Sequence, residues 1–276
     1  MRLIKLFKIL HLLSFDVVVG AVVCNIMFWK LNKTPPKHFS IIVIILGLSV
    51  WIIYVLDRLL DNQKSNLNLT ERHIFHQKNA KILWYFLGLL VTICSILVFY
   101  LPAKTIIFGI IISSLTGFYL FIISRISSNN NFQHYKEPIT AFVYVSAVFG
   151  TTILHNPQIT SLLIGFIFLL IVFQNLLFFS LSEYKKNTNS YNLAEHFGIK
   201  KSNLIINATT GVVIIMGLYL IHYSNVNYVN KVVFMEIIMS TILLIINQFD
   251  TFFIKNDRYR WIGDGIFLLP LLIIFR

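Results

Sequence analysis

Two aspartates stand four residues apart where an apolar block ends, in the run Tyr54-Val55-Leu56-Asp57-Arg58-Leu59-Leu60-Asp61-Asn62. On a helix such a pair shares one face, with Cβ atoms about 5–6 Å apart. Two like charges so placed repel each other, and a cation between them removes the cost. Carboxylate oxygens suit Mg²⁺, which commonly binds one or two carboxylates together with a substrate phosphate. Asp57 and Asp61 therefore fit a diphosphate bridged by Mg²⁺, presented at a membrane boundary by a lipid. Arg58 lies off that face, where it can pair with a loop acid or contact phosphate. The plain alternative is that a helix end at an interface is an ordinary place for Asp, Arg and Asn.

The loop beyond reads Thr70-Glu71-Arg72-His73-Ile74-Phe75-His76. His73 and His76 have helical ligand spacing, but no Cys or third ligand stands nearby to complete a zinc site. Arg72 is the better candidate there, as a phosphate donor. A second run follows a later apolar block: Gln174-Asn175, then Ser182-Glu183-Tyr184-Lys185-Lys186-Asn187. Asn175, Ser182 and Glu183 fall on one helical face. Glu183 and Asn187 repeat the spacing of four, with one carboxylate and one amide whose oxygen can also ligate Mg²⁺. Asn192 to Gly198 reads as a short helix closed by glycine.

These residues resemble the UbiA-type family of intramembrane prenyltransferases, and the resemblance covers most of the chain. The family's first motif is N-x-x-x-D-x-x-x-D. Asp57 and Asp61 match its aspartates, Arg58 often follows the first, and Ile53 stands where the family has Asn. The second motif is commonly D-x-x-x-D, and Glu183 and Asn187 fall at its places. Asn175 resembles a polar residue preceding that motif. The segments Leu13–Val17 with Gly20-Ala21, and Arg258–Gly265 with Pro270, resemble the first and last spans of a bacterial subgroup.

The resemblance implies a helical bundle around a central cavity. It implies Mg²⁺ and the diphosphate of a polyprenyl donor held by Asp57, Asp61, Glu183 and Asn187. Arg58, Arg72, Lys136, Lys185, Lys186 and Asn175 would assist, and Tyr54, Tyr144 or Phe179 would shelter an allylic cation attacked by a hydrophobic acceptor. The departures at Ile53 and Asn187 keep open a degenerate relative that binds a lipid or quinone.

The elements that must position these residues are membrane spans. Of 276 residues, 57% are hydrophobic and 12% charged, whereas a soluble domain carries about 25% charged residues. The apolar residues come in nine blocks, 9–29, 39–56, 82–101, 105–123, 139–154, 159–181, 204–221, 232–246 and 261–275, with eight spans as an alternative. A bilayer core needs about 20 apolar residues per helix. Lipid offers no partner to an unpaired amide, so the blocks must be helical. The alternating strands of a barrel are absent from the sequence. The expectation is an all-α polytopic transmembrane bundle of about nine helices, one integral membrane domain over residues 1–276. Its polar motifs lie in loops 57–81 and 182–203. Arg2, Lys5 and Lys8 precede the first block, whose apolar run is too long for a signal peptide. Cys24 and Cys94 lie inside apolar blocks and read as small packing residues.

The net charge of +12 invites a nucleic-acid reading, but position argues against it. With nine spans and the N-terminus inside, most of the 23 basic residues fall on inner segments, as the positive-inside rule requires. This places the chain in a bacterial cytoplasmic membrane with its polar loops cytoplasmic. Nearly all the acids share that face. Asp16, at the start of the first span, is a functional candidate by its position, and Glu236 is assigned to the opposite end. A transporter remains the third reading; it would carry midplane charges or broken helices.

Overall fold

The computed structural model describes residues 9–32, 36–62, 71–126, 131–187 and 192–275, apart from the side chains of Glu71, Arg72, His73, Asn131 and Asn256. Among them every regular element is helical. Seven helices are long and apolar enough to cross a membrane, so the chain is an all-α polytopic membrane bundle. Arg2, Lys5, Lys8 and Lys64 lie outside the described residues.

The chain divides into two compact units, Met1–Val22 with Pro36–Ser128, and Val23–Pro35 with Asn129–Arg276. The first apolar block does not run as one helix. A short turn ends at Ser14, whose φ of 58° is left-handed, and α1 (Phe15–Trp29) follows. At 15 residues, α1 is the shortest of the apolar candidates. The Asp16 carboxylate in its first turn accepts from His11 at 2.5 Å and from the Val17 amide at 3.1 Å. A carboxylate there also meets the positive end of the helix.

In the first unit, α2 (Phe39–Asp61) is 23 residues long, about 35 Å at 1.5 Å per residue. After α3 (Glu71–Lys78) come α4 (Ala80–Val98) and α5 (Ala103–Arg125). Pro102 precedes α5 as its N-cap, where a missing amide hydrogen breaks no helical bond. Trp51, Val55 and Leu59 of α2 pack on Leu83 and Leu87 of α4, and the Trp51 indole donates to the Leu13 carbonyl at 3.0 Å. The outer faces of α4 and α5 stay apolar and uncovered, with Tyr85 72%, Phe118 66% and Ile110 60% exposed. A soluble monomer rarely leaves such a continuous apolar surface in water, and lipid accepts it.

The second unit holds α6 (Lys136–His155), α7 (Ile159–Lys186), α8 (Leu193–Tyr223) and α9 (Asn227–Gln248). The short elements α10 (Asp250–Ile254), α11 (Arg258–Gly265) and α12 (Leu271–Ile274) follow. The ninth apolar block is therefore a broken chain of short turns. Pro270 lacks an amide hydrogen and cannot continue the ladder, so this block does not form one long span.

Where α7, α8 and α9 meet, Gln174 gives an amide hydrogen to Thr210 at 2.8 Å and accepts from Ser240 at 2.7 Å. All three residues are buried. Between helices in lipid, such bonds supply specificity that apolar packing lacks. Phe28 stacks edge-on against Phe149 and Phe168 at 4.7 and 4.9 Å, which seats the second half of α1 in this unit.

Candidate functional site

Asp57, Arg58 and Asp61 occupy the last turns of α2, all half-buried. The helix continues past the apolar block to Asp61, so the spacing of four does put both aspartates on one face. Arg58 carries a buried Nε that has no hydrogen-bond partner among the described residues. A guanidinium N–H left unsatisfied is a donor in search of an anion. Two carboxylates on one face, with such a donor in the same turn, are groups that could hold Mg²⁺ and a phosphate oxygen. The side chains of Arg72 and His73 lie outside the described residues. His76 is buried.

Glu183 and Asn187 close α7 in the second unit, where the Asn187 amide caps the helix by donating to the Glu183 carbonyl at 2.8 Å. The carboxylate of Glu183 is held by the Arg260 guanidinium of α11. Arg260 also donates through Nε to the Tyr259 hydroxyl at 3.1 Å. Burial works against the Arg260 charge, but Glu183 and Tyr259 outweigh it and raise the pKa above the ordinary value. Lys185 pairs with Asp250 at 2.5 Å, and Lys186 with Asp257 at 2.8 Å. The segment after α9 thus folds back onto the end of α7 through three ion pairs. As it stands, the Glu183 carboxylate answers a guanidinium, and a metal ion there would have to displace Arg260.

More than two turns back along α7, Asn175 is buried and its Oδ1 accepts no hydrogen bond from the described residues. That oxygen and the Phe179 ring press on Gly263, where an added Cβ would come within 2.7 Å of the oxygen and 2.4 Å of the ring. Gly263 is what lets α11 approach α7 so closely. Phe179 lies 5.8 Å from the Tyr259 ring, and Tyr144 6.0 Å from Phe267. Lys136 begins α6, half-buried.

The short helix expected at Asn192 to Gly198 is present. The Asn192 side chain caps it by accepting from the Glu195 amide at 3.1 Å, and Gly198 breaks it at φ 75°, ψ 163°. Ser180 accepts from the Ala194 amide at 3.0 Å, and Glu137 from the Leu193 amide at 3.3 Å. His134 meets Glu195 at 3.1 Å. This elbow is clamped to α6 and α7 by its first amides, which a helix start otherwise leaves unsatisfied.

No protein-family model matches the chain, and comparison with curated proteins and with solved structures finds no match either. Function must therefore be argued from the residues themselves.

Two groups, Arg260 and Gln174, are not marked out by the sequence patterns above, and a third, Glu236, stands elsewhere than expected. Arg260 was visible only as one more cation of a basic segment, and nothing local marks Glu183 as its partner. Gln174 was read as the neighbour of Asn175, although a glutamine inside an apolar block is itself a signal of interhelical bonding. Glu236 needs a correction. It is not at the far end of its span but is the tenth residue of the 22-residue α9, wholly buried. The helix begins earlier than the apolar block because Asn227, Tyr228 and Asn230 continue its turns.

Proposed function

We propose that the chain is an integral membrane enzyme that transfers a polyprenyl group from a polyprenyl diphosphate to a hydrophobic acceptor. It works in a bacterial cytoplasmic membrane, with its N-terminus and polar loops on the cytoplasmic side. What carries this reading is the end of α2: two half-buried carboxylates at helical spacing of four, in the same turn as Arg58, whose buried Nε has no hydrogen-bond partner among the described residues.

Asp57 and Asp61 would hold Mg²⁺, which neutralises charge gathering on a departing diphosphate. Arg58 donates to a phosphate oxygen. The prenyl C–O bond breaks with its electron pair leaving on the diphosphate. The acceptor supplies the pair for the new bond and then loses a proton to solvent. In the second unit, taken by itself, Glu183 and Asn187 stand at the places of the second motif, and the Asn175 Oδ1 accepts no hydrogen bond from the described residues. The lipid-facing apolar surfaces suit a donor and an acceptor that both arrive from the bilayer.

The engagement of Glu183 by Arg260 favours a second reading, a non-catalytic relative that binds a lipid or quinone. The deciding experiment incubates the purified protein with polyprenyl diphosphates of several chain lengths and Mg²⁺. Diphosphate release that disappears in Asp57→Ala supports the enzyme. A folded wild-type protein that binds these lipids but releases nothing at any chain length leaves the second reading alone.

A further inference from the structure

Along α9, Tyr228, Glu236, Ser240 and Asn247 are spaced eight, four and seven residues apart. At 100° per residue they fall within one arc of the helix surface. The file spans about 28 Å, close to the thickness of a bilayer core. Tyr228 is half-buried and the other three are buried. Three members have partners: Tyr228 donates to the Met27 carbonyl at 3.0 Å, Ser240 to Gln174 at 2.7 Å, and Asn247 to Asn203 at 2.8 Å. Glu236 differs. It is 0% exposed, and neither carboxyl oxygen has a hydrogen-bond partner among the described residues.

We propose that Glu236 anchors an intramembrane binding site for one small monovalent cation. A buried carboxylate without a counter-charge costs several kcal/mol, and a neutral carboxylic acid still leaves a donor and an acceptor unmet. Ionisable groups at such depth line ion paths and binding sites. The charge count selects a single positive charge. Residues 160–182, 202–221 and 232–248 of α7, α8 and α9 contain no charged residue other than Glu236, and neither do residues 18–29 and 138–154. One carboxylate balances one monovalent ion, whereas a divalent ion would leave an excess charge in lipid. The neighbours also suit a hard ion. Ser240 lies one turn away on the same face, joined to the Gln174 and Thr210 oxygens. The Cys24 thiol, which lies within electrostatic reach of Glu236, spends its hydrogen on the Phe267 carbonyl at 3.5 Å. This site is independent of the carboxylate pair on α2.

The test uses the full chain in detergent and dicyclohexylcarbodiimide, which modifies protonated carboxyls in apolar surroundings, with the modified residue located by mass spectrometry. In choline chloride Glu236 is modified. In sodium chloride of equal ionic strength the modification falls, by about tenfold once Na⁺ stands at ten times its dissociation constant. Ser240→Ala retains the modification but needs more Na⁺ to suppress it. Glu236→Gln serves only to confirm the assignment, so its failure to fold does not affect the wild-type reading. Protection by K⁺ in place of Na⁺ supports the site and names its ion. Modification that is equal in all three salts, or absent from Glu236 in choline, overturns the proposal. Loss of prenyl transfer bears on the α2 pair and leaves this result untouched.

Discussion

Arg260 on α11 clasps the carboxylate of Glu183 at the end of α7 while resting its guanidinium 5.6 Å from the centre of the Tyr259 ring. One side chain thereby ties the closing segment to α7 by charge, while a hydrogen bond and a ring contact to Tyr259 hold it in place within its own segment. Because the Glu183 side chain is 41% exposed, water screens the pair and its strength is modest. In a double-mutant cycle of Arg260→Ala and Glu183→Gln, the coupling is expected at about 0.5–1 kcal/mol. Arg260→Lys recovers only part of it, since an ammonium lacks the planar fork. Thermal melts in detergent measure this, and strictly additive losses would show that the pair contributes nothing.

Tyr259 gives the same corner a pH dependence. Burial raises the phenol pKa above its ordinary 10.0; the neighbouring Arg260 works against the rise and Glu183 with it. The unfolded chain loses this proton first, so the folded state is favoured fully below about pH 10 and progressively less as the pH climbs toward the folded pKa. The melting temperature of the wild type should therefore fall more steeply above pH 10 than that of Tyr259→Phe. Parallel curves for the two proteins would contradict this account.

Gly198 holds a backbone conformation, φ 75° and ψ 163°, that residues with a Cβ scarcely enter. Gly198→Ala is expected to cost about 1–3 kcal/mol. Gly211, farther along the same helix, has open space around its Cα. Gly211→Ala should be neutral or stabilise by up to about 1 kcal/mol, because alanine favours helix interiors. If both variants melt alike, the elbow is not set by glycine.

Much of this architecture could be read in advance, and the physical reasons are uneven. The long helices were legible because lipid permits no other backbone arrangement for such apolar runs. Gly198 was legible because a glycine after a capped polar turn has a local meaning. The carboxylate pair at Asp57 and Asp61 depended on a spacing, and the helix does extend far enough to honour it. The fragmentation after Arg258 was underestimated, although Pro270 was in view. Glu236 lies deeper than expected because the apolar block starts at Val232 whereas the helix starts five residues earlier, at Asn227. The partners of Glu183, Lys185 and Lys186 come from a stretch more than 60 residues away, and no local pattern encodes such a pairing.

The triangle of Gln174, Thr210 and Ser240 also constrains how its helices can be displaced. Smooth apolar cylinders slide and rotate past one another in lipid at little cost. A shift of α9 by a single residue would turn Ser240 by about 100° and strand an amide and two hydroxyls where no water can replace the lost bonds. The three helices are thus keyed at one depth, and any rearrangement that leaves those bonds intact must carry them together as a block.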